Sequence, residues 1–158
     1  FSADKKMKAE VASANVDGRK VWLIKPQTYM NCSGQSVGPF ARFHDIRPEE
    51  ILVLHDELDL LPGQLRVKLS GSSGGHNGLK DIQAALGTPD YWRLRIGIGL
   101  PRSLQLKQGV ADFVLHRPRL EEQIDIDRAI DRLSAQASLL VRGDMPEAQR
   151  LLHTTPKN

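Results

Sequence analysis

Short apolar runs and amphipathic stretches alternate along the 158-residue chain. Runs rich in apolar and β-branched side chains predict strands at residues 21–25, 51–56, 64–69 and 93–99, with a weaker candidate at 112–116. The run at 51–56 is apolar until it reaches His55 and Asp56, a pattern typical of a strand buried on both faces. We therefore expect this segment at the centre of a sheet.

Between these runs, apolar residues recur at helical spacing. Helices are predicted at residues 33–43, 78–86 and 120–141, with a shorter one at 146–153 and a frayed tail over about 153–158. Their apolar faces are Val37, Phe40 and Ala41 in the first, Leu79, Ile82 and Leu86 in the second, and Ile126, Ile130, Leu133 and Ala137 in the third. Strands that alternate with helices predict a single three-layer α/β/α domain over residues 1–158.

Composition argues against several classes of protein. With 40% hydrophobic residues, the chain fits a globular domain rather than a disordered one. No run approaches the ~18 apolar residues of a membrane span, and the N-terminal stretch FSADKKMKAE lacks the apolar core of a signal peptide, so we expect a soluble, cytoplasmic protein. Cys32 is the only cysteine, which excludes an intramolecular disulfide and favours a small buried hydrophobic role.

Charge is distributed unevenly along the chain. The net charge is +3, residues 121–131 are acidic, and the middle of the chain carries a set of basic residues: Arg66, Lys68, Lys80, Arg93, Arg95, Arg102 and Lys107. Arg66 and Lys68 share one face of a predicted strand, as do Arg93 and Arg95, so the two pairs would form a basic stripe on neighbouring strands. This pattern favours a polyanionic partner, although ordinary solvated surface charge explains it equally well.

Polar side chains follow two of the predicted strands. Tyr29 and Asn31 lie at a strand-to-helix junction, where open α/β sheets bind ligands, although Asn31 also fits the N-cap of the next helix. His55 and Asp56 are adjacent on a strand, so their side chains point to opposite faces and cannot form a catalytic pair. The carboxylates of Asp56, Glu57 and Asp59 fit either a solvated acidic turn or a metal site. No further cluster of His or Asp at ligand spacing supports the metal site.

A glycine-rich loop at residues 71–78 leads into the second predicted helix. Glycines let the backbone approach a ligand, and the free N–H groups of a helix N-terminus favour anions or carbonyl groups. The loop matches neither the Walker sequence nor the GxGxxG dinucleotide pattern. His76 and Asn77 at the helix start can assist a ligand or act as turn residue and N-cap. A nucleotide- or phosphate-binding domain therefore stays possible at this point.

Four blocks, QTYMNCSG, ILVLHDELDLLPG, GSSGGHNGLKDI and RLRIGIG, occur in this order and together resemble the bacterial peptidyl-tRNA hydrolase family. The resemblance extends over about residues 21–114 and continues more weakly through the C-terminal helices. It implies a monomeric α/β enzyme with a twisted mixed sheet and with neither metal nor cofactor. The implied reaction is hydrolysis of the ester that joins a peptide to the 3′ end of tRNA.

The resemblance also implies roles for the residues at the strand ends. Asp56 would orient the catalytic histidine that activates water, and Asn31 and Asn77 would hold the substrate near the scissile ester. A neutral histidine base and side-chain amide donors suit ester hydrolysis without a metal ion.

Five further residues take implied roles around these groups. Tyr29 and Met30 would line the substrate site, with His76 beside them. Lys68 and Arg95 would match the basic residues that hold the 5′ phosphate region of the tRNA. The expected partner is therefore the acceptor stem and 3′ end of peptidyl-tRNA, not a membrane.

One block of the family has no match in this sequence. It comprises a first strand, a Gly-Leu-Gly-Asn-Pro-Gly-like turn and the helix that bears the catalytic histidine. The five histidines present, His44, His55, His76, His116 and His153, match other positions. We therefore expect an N-terminally incomplete enzyme whose 158-residue chain is inactive alone. A relative that binds RNA without hydrolysing it is the alternative.

Overall fold

The computed structural model describes residues 1–71, 76–99 and 120–153. The chain divides into two compact units. The first contains residues 1–52 and 69–92, and the second contains residues 53–68 and those from 93 onward. The predicted strand at 112–116 and the predicted tail beyond His153 lie outside the described residues.

The first unit opens with an antiparallel sheet. Its strands are β1 (Ser2–Asp4), β2 (Ala9–Val16) and β3 (Arg19–Pro26), in the order β1-β2-β3. Asp17 and Gly18 connect β2 to β3 with φ angles of 51° and 77°, the positive values that a tight type I′ hairpin requires. Strand β3 confirms the prediction at 21–25, but β1 and β2 were not predicted. The Asp-Gly dipeptide is the signal that identifies the hairpin.

Two helices of the first unit confirm their predictions. Helix α1 (Gly34–Phe43) follows a 3₁₀ turn at Met30–Cys32, and α2 (Asn77–Leu86) ends at Gly87, whose φ is 76°. A second 3₁₀ turn spans Pro48–Glu50. The core of this unit contains Phe40, Ala41, Leu79, Ile82 and Tyr91, each at most 5% exposed. The helical apolar faces read from the sequence therefore do face the core.

The second sheet contains β4 (Leu52–Glu57), β5 (Leu65–Leu69) and β6 (Trp92–Gly97) in the order β4-β6-β5. The Trp92 N–H donates to Ile51 O and the Ile98 N–H to Glu57 O, so β4 and β6 run parallel. The Gly97 N–H donates to Gln64 O and the Ser70 N–H to Tyr91 O, so β6 and β5 run antiparallel. The predicted mixed sheet is confirmed.

The prediction that β4 is central and buried on both faces is wrong. Within the described chain, β4 lies at one end of the strand order, and Leu54 is 52% exposed. The apolar run identified the strand, but periodicity does not reveal which neighbours cover it.

Three helices follow in the second unit: α3 (Leu120–Ala135), α4 (Ala137–Arg142) and α5 (Met145–His153). The prediction of one helix over 120–141 is wrong, because Gln136 leaves the helical region with φ −105° and ψ 14°. Ile130, assigned to the buried face of α3, is 43% exposed, and Ala129 is buried in its place. The buried residues of α5 are Met145, Ala148 and Leu152.

Candidate functional site

The 3₁₀ turn at Met30–Cys32 packs against the first turn of α2. A Cβ atom on Gly78 would lie 2.9 Å from Met30 Sδ and 3.1 Å from the Met30 carbonyl oxygen. A side chain at this position would crowd both atoms, and the close approach brings the turn that carries Asn31 against the helix that begins with Asn77. We call the group formed by Tyr29, Met30, Asn31, His76 and Asn77 the amide site.

The side chains of the amide site are accessible. Tyr29 is 85% exposed and Met30 is 62% exposed, and both asparagines are exposed. Cys32 is half-buried rather than buried, and its Sγ lies 3.6 Å from Asn31 Oδ1. A large exposed aromatic ring beside two amide groups offers both stacking and hydrogen bonding to an incoming molecule.

His76 is the N-cap of α2. Its Nδ1 accepts a hydrogen bond from the Leu79 N–H at 3.3 Å, and its own backbone is extended, as an N-cap requires. The ring nitrogen is therefore engaged with the backbone, and the cap role read as an alternative from the sequence is the one observed. Asn77, the first residue of α2, is thereby left to present its side-chain amide.

Asn31 does not cap α1. The N-cap position of that helix is Ser33, whose φ of −57° and ψ of −29° are helical and whose side chain makes no capping bond. The Ser33 hydroxyl instead donates to Met30 O at 2.7 Å. The Gly34 N–H donates to Asp81 Oδ2 at 2.6 Å, so a carboxylate from α2 caps α1. No local sequence pattern identified Asp81 as a cap.

The acidic end of β4 belongs to the second unit. Asp56 is half-buried there, and His55 Nδ1 donates to the backbone oxygen of Asp56 at 2.8 Å. This contact joins the His55 ring to the backbone of Asp56. Among the residues described, no cluster of three or more His, Cys, Asp or Glu side chains is arranged to hold a metal ion.

Arg95 is paired with the neighbouring carboxylate. Its Nε donates to Glu57 Oε1 at 2.7 Å and its Nη2 donates to the same oxygen, with the two side chains 31% and 20% exposed. Arg93 is only 3% exposed. The expected basic stripe of Arg93 and Arg95 is therefore wrong, because one side chain is buried and the other is partly neutralised.

On β5, the two basic residues differ in their surroundings. Arg66 is half-buried and its Nη1 donates to the Leu65 and His153 backbone oxygens at 2.8 and 3.2 Å. Lys68 is exposed. Lys68 is therefore the member of this pair whose charge faces solvent.

Helix α5 holds β5 through two side chains. The Val67 N–H donates to His153 Nε2 at 2.8 Å, and Gln149 Nε2 donates to Val67 O at 3.0 Å. Burial lowers the pKa of His153, and the charge of Arg66 lowers it further. Nε2 is an acceptor only in the neutral ring, so the lowered pKa and the observed bond agree.

Sequence and structure comparisons place the chain in a family. The family model described as Peptidyl-tRNA hydrolase matches residues 1–158. The chain belongs to this family. The peptidyl-tRNA hydrolase of Bordetella avium is 60% identical over 154 residues, which cover 98% of this chain and 74% of the relative. That of Bordetella parapertussis is 60% identical over 153 residues, covering 97% of this chain and 71% of the relative.

Solved structures of the peptidyl-tRNA hydrolase family match as well. A crystal structure of a peptidyl-tRNA hydrolase complexed with N-propanol gives a TM-score of 0.93 at 43% identity and covers 100% of this chain and 79% of its own. The crystal structure of the enzyme from Acinetobacter baumannii gives 0.91 at 44% identity, covering 98% and 77%. The recognised family and the α/β fold class are confirmed.

These comparisons do not support the expectation of an inactive chain. The family match runs over residues 1–158, and the chain spans 71–79% of the length of the relatives and solved structures named above. They also favour a peptidyl-tRNA hydrolase over a nucleotide-binding domain. In the described ranges, no helix combines the length and apolar character needed to cross a bilayer.

Proposed function

We propose that this protein hydrolyses the ester between a peptide and the 3′ end of tRNA. The observation that carries the proposal is the packing of Met30 on Gly78, which sets Asn31 and Asn77 on adjoining elements. Side-chain amides held in this way can donate to the peptide and to the oxyanion that forms when water attacks the ester. Relatives 60% identical to the chain carry the name peptidyl-tRNA hydrolase.

Asp56 is proposed to orient the histidine that activates water. A carboxylate that accepts from one imidazole nitrogen leaves the other nitrogen available as the base. Among the described histidines, His55, His76 and His153 bond to backbone groups, and His44 stacks on Trp22 and Phe40 at 4.5 and 4.3 Å between ring centroids. We assign the water-activating role to none of them.

Lys68 and Arg95 are proposed to contact tRNA phosphates. The exposed Lys68 side chain can bind a phosphate directly. Arg95 must first give up its hydrogen bonds to Glu57 before it can bind one. Tyr29, Met30 and His76 line the substrate site around the asparagines. The protein is proposed to act as a cytoplasmic monomer, without metal or cofactor.

Hydrolysis is tested with an N-blocked aminoacyl-tRNA and the full-length gene product. Peptide release should persist in a chelator, and Asn31→Ala or Asn77→Ala should lower kcat/KM roughly 10²- to 10³-fold, as expected for loss of an oxyanion donor. Asn15→Ala, at an exposed position of β2, is the matched control and should leave kcat/KM unchanged. Activity that chelation abolishes and zinc restores would contradict the mechanism, and tRNA binding without hydrolysis would favour the non-catalytic alternative.

The phosphate contact is tested by the salt dependence of tRNA binding. Lys68→Ala should weaken binding and reduce the slope of log K against log salt by about 0.7–0.9, the value for one phosphate contact. Lys5→Ala, also at an exposed position, is the control. An unchanged slope in Lys68→Ala would mean that Lys68 is an ordinary surface charge and does not contact a tRNA phosphate.

A further inference from the structure

The residues at the start of helix α1 do not cap that helix with their own side chains. Ser33 has helical dihedral angles, and its hydroxyl donates a hydrogen bond to Met30 O at 2.7 Å. The first N–H groups of a helix need acceptors, and a carboxylate is the strongest one available at that end. Asp81 of α2 supplies it, with Oδ2 2.6 Å from the Gly34 nitrogen.

The two helices approach closely enough for this bond because small residues line their contact. A Cβ on Gly34 would lie 2.3 Å from Asp81 O, and a Cβ on Gly38 would lie 2.9 Å from Ala85 Cβ. One turn further on, Arg42 Nη1 donates to Ala85 O at 3.1 Å. The carboxylate bond is therefore one end of a tight contact rather than an isolated surface interaction.

The bond joins the two halves of the amide site. Gly34 lies three residues after Asn31, directly beyond the 3₁₀ turn, and Asp81 lies one helical turn after Asn77. We propose that Asp81 is a positioning residue that fixes the turn carrying Asn31 against the start of α2, and so sets the separation of the two asparagine amides. The inference rests on the proposed function and assigns Asp81 no contact with substrate.

Two variants separate the charge from the shape of this side chain. Asp81→Ala removes the acceptor and should lower kcat/KM for N-blocked aminoacyl-tRNA roughly 10- to 100-fold, since misplacement by about 1 Å can cost 10²-fold. The effect should appear mainly in kcat, because the reacting geometry is lost while the exposed binding surface remains. Asp81→Asn keeps one oxygen acceptor and should recover part of that loss.

Gly87→Ala is the control for stability. Gly87 has a φ of 76° and no atom near its missing Cβ, so alanine there strains the end of α2 without touching the amide site. Compared at a temperature where both variants are fully folded, Gly87→Ala should keep the wild-type kcat. Equal kcat values for Asp81→Ala and Gly87→Ala would overturn the inference.

A second measurement does not depend on hydrolysis. In uniformly ¹⁵N-labelled protein, Asp81→Ala should shift the side-chain amide resonances of Asn31 and Asn77 and speed hydrogen exchange of the Gly34 N–H, whereas Gly87→Ala should do neither. Unshifted resonances would overturn the positioning role even in an active enzyme. A full-length protein that hydrolyses no peptidyl-tRNA would contradict the proposed function, while the resonances would still decide the role of Asp81.

Discussion

Replacing His153 with alanine should destabilise the second unit by removing the acceptor of one buried backbone N–H. Val67 is 2% exposed, so water cannot readily replace His153 Nε2. An orphaned buried donor costs about 1–3 kcal/mol. Because each kcal/mol lowers Tm by about 2–4 °C in a chain of this size, the expected fall in Tm is roughly 2–12 °C.

Urea and thermal unfolding of the wild type and three variants measure this effect. His153→Gln places an oxygen near the position of Nε2 and should recover most of the stability lost in His153→Ala. Glu147→Gln, on the same helix, removes the charge of an exposed ion pair with Arg150 and should leave the unfolding midpoint close to that of the wild type. A His153→Ala midpoint equal to that of Glu147→Gln would refute the importance of the Val67 bond.

The pH dependence gives a second check on His153. Burial lowers its pKa below the ordinary value of 6.5, so the unfolded chain takes up the proton first as the pH falls. Stability from this residue is thus present above about pH 6.5 and is lost as the pH falls through the lower folded-state pKa. His153→Gln should remove this component, since glutamine does not titrate. An unchanged difference between wild type and His153→Gln from pH 7.5 to pH 5 would contradict the assignment.

Three other substitutions have defined outcomes. Gly34→Ala would put a Cβ 2.3 Å from Asp81 O, so helices α1 and α2 must separate, with a loss of about 1–3 kcal/mol measured by urea unfolding. Glu57→Gln should loosen the pair with Arg95, strengthen tRNA binding and steepen its salt slope by up to about 0.9. Gly18→Ala, at φ 77°, should destabilise the hairpin by about 1 kcal/mol.

A different result would contradict each of these three predictions. A wild-type urea midpoint in Gly34→Ala would show that the helices are not in close contact at that position. Weaker tRNA binding in Glu57→Gln would mean that Glu57 orients Arg95 for the phosphate instead of competing with it. Full stability of Gly18→Ala would argue against the positive φ of the turn.

The elements that local pattern specifies were predictable from the sequence. Helix α2 has both an apolar face and a glycine stop, and its observed bounds differ from the prediction by one residue at the start. The break in α3 at Gln136 was not predictable, because the apolar spacing continues past a single non-helical residue. The exposure of Leu54 could not be predicted either, since burial depends on the strands beside β4 and not on the composition of β4 itself.

The same distinction applies to the candidate site. The four ordered sequence blocks led us to predict roles for Asn31, Asn77 and Asp56 through the resemblance to the family, and these roles stay predictions. Asp81 was missed because its partner is the backbone N–H of a residue distant in sequence. Every residue except proline has such a donor, so no residue type identifies it. The pairing of Arg95 with Glu57 was missed for a related reason, since two strands must first be aligned before the charges meet.

Strand β5 ends the described order of its sheet, yet the backbone of Val67 offers no free hydrogen-bonding groups. His153 and Gln149 occupy its N–H and C=O, a place that a strand from another molecule would otherwise take. Open strand edges promote edge-to-edge aggregation. Helix α5 therefore leaves Val67 without a free backbone group for an added strand. Conditions that protonate His153 break the bond from Val67, so we expect them to increase association of the purified protein through this edge.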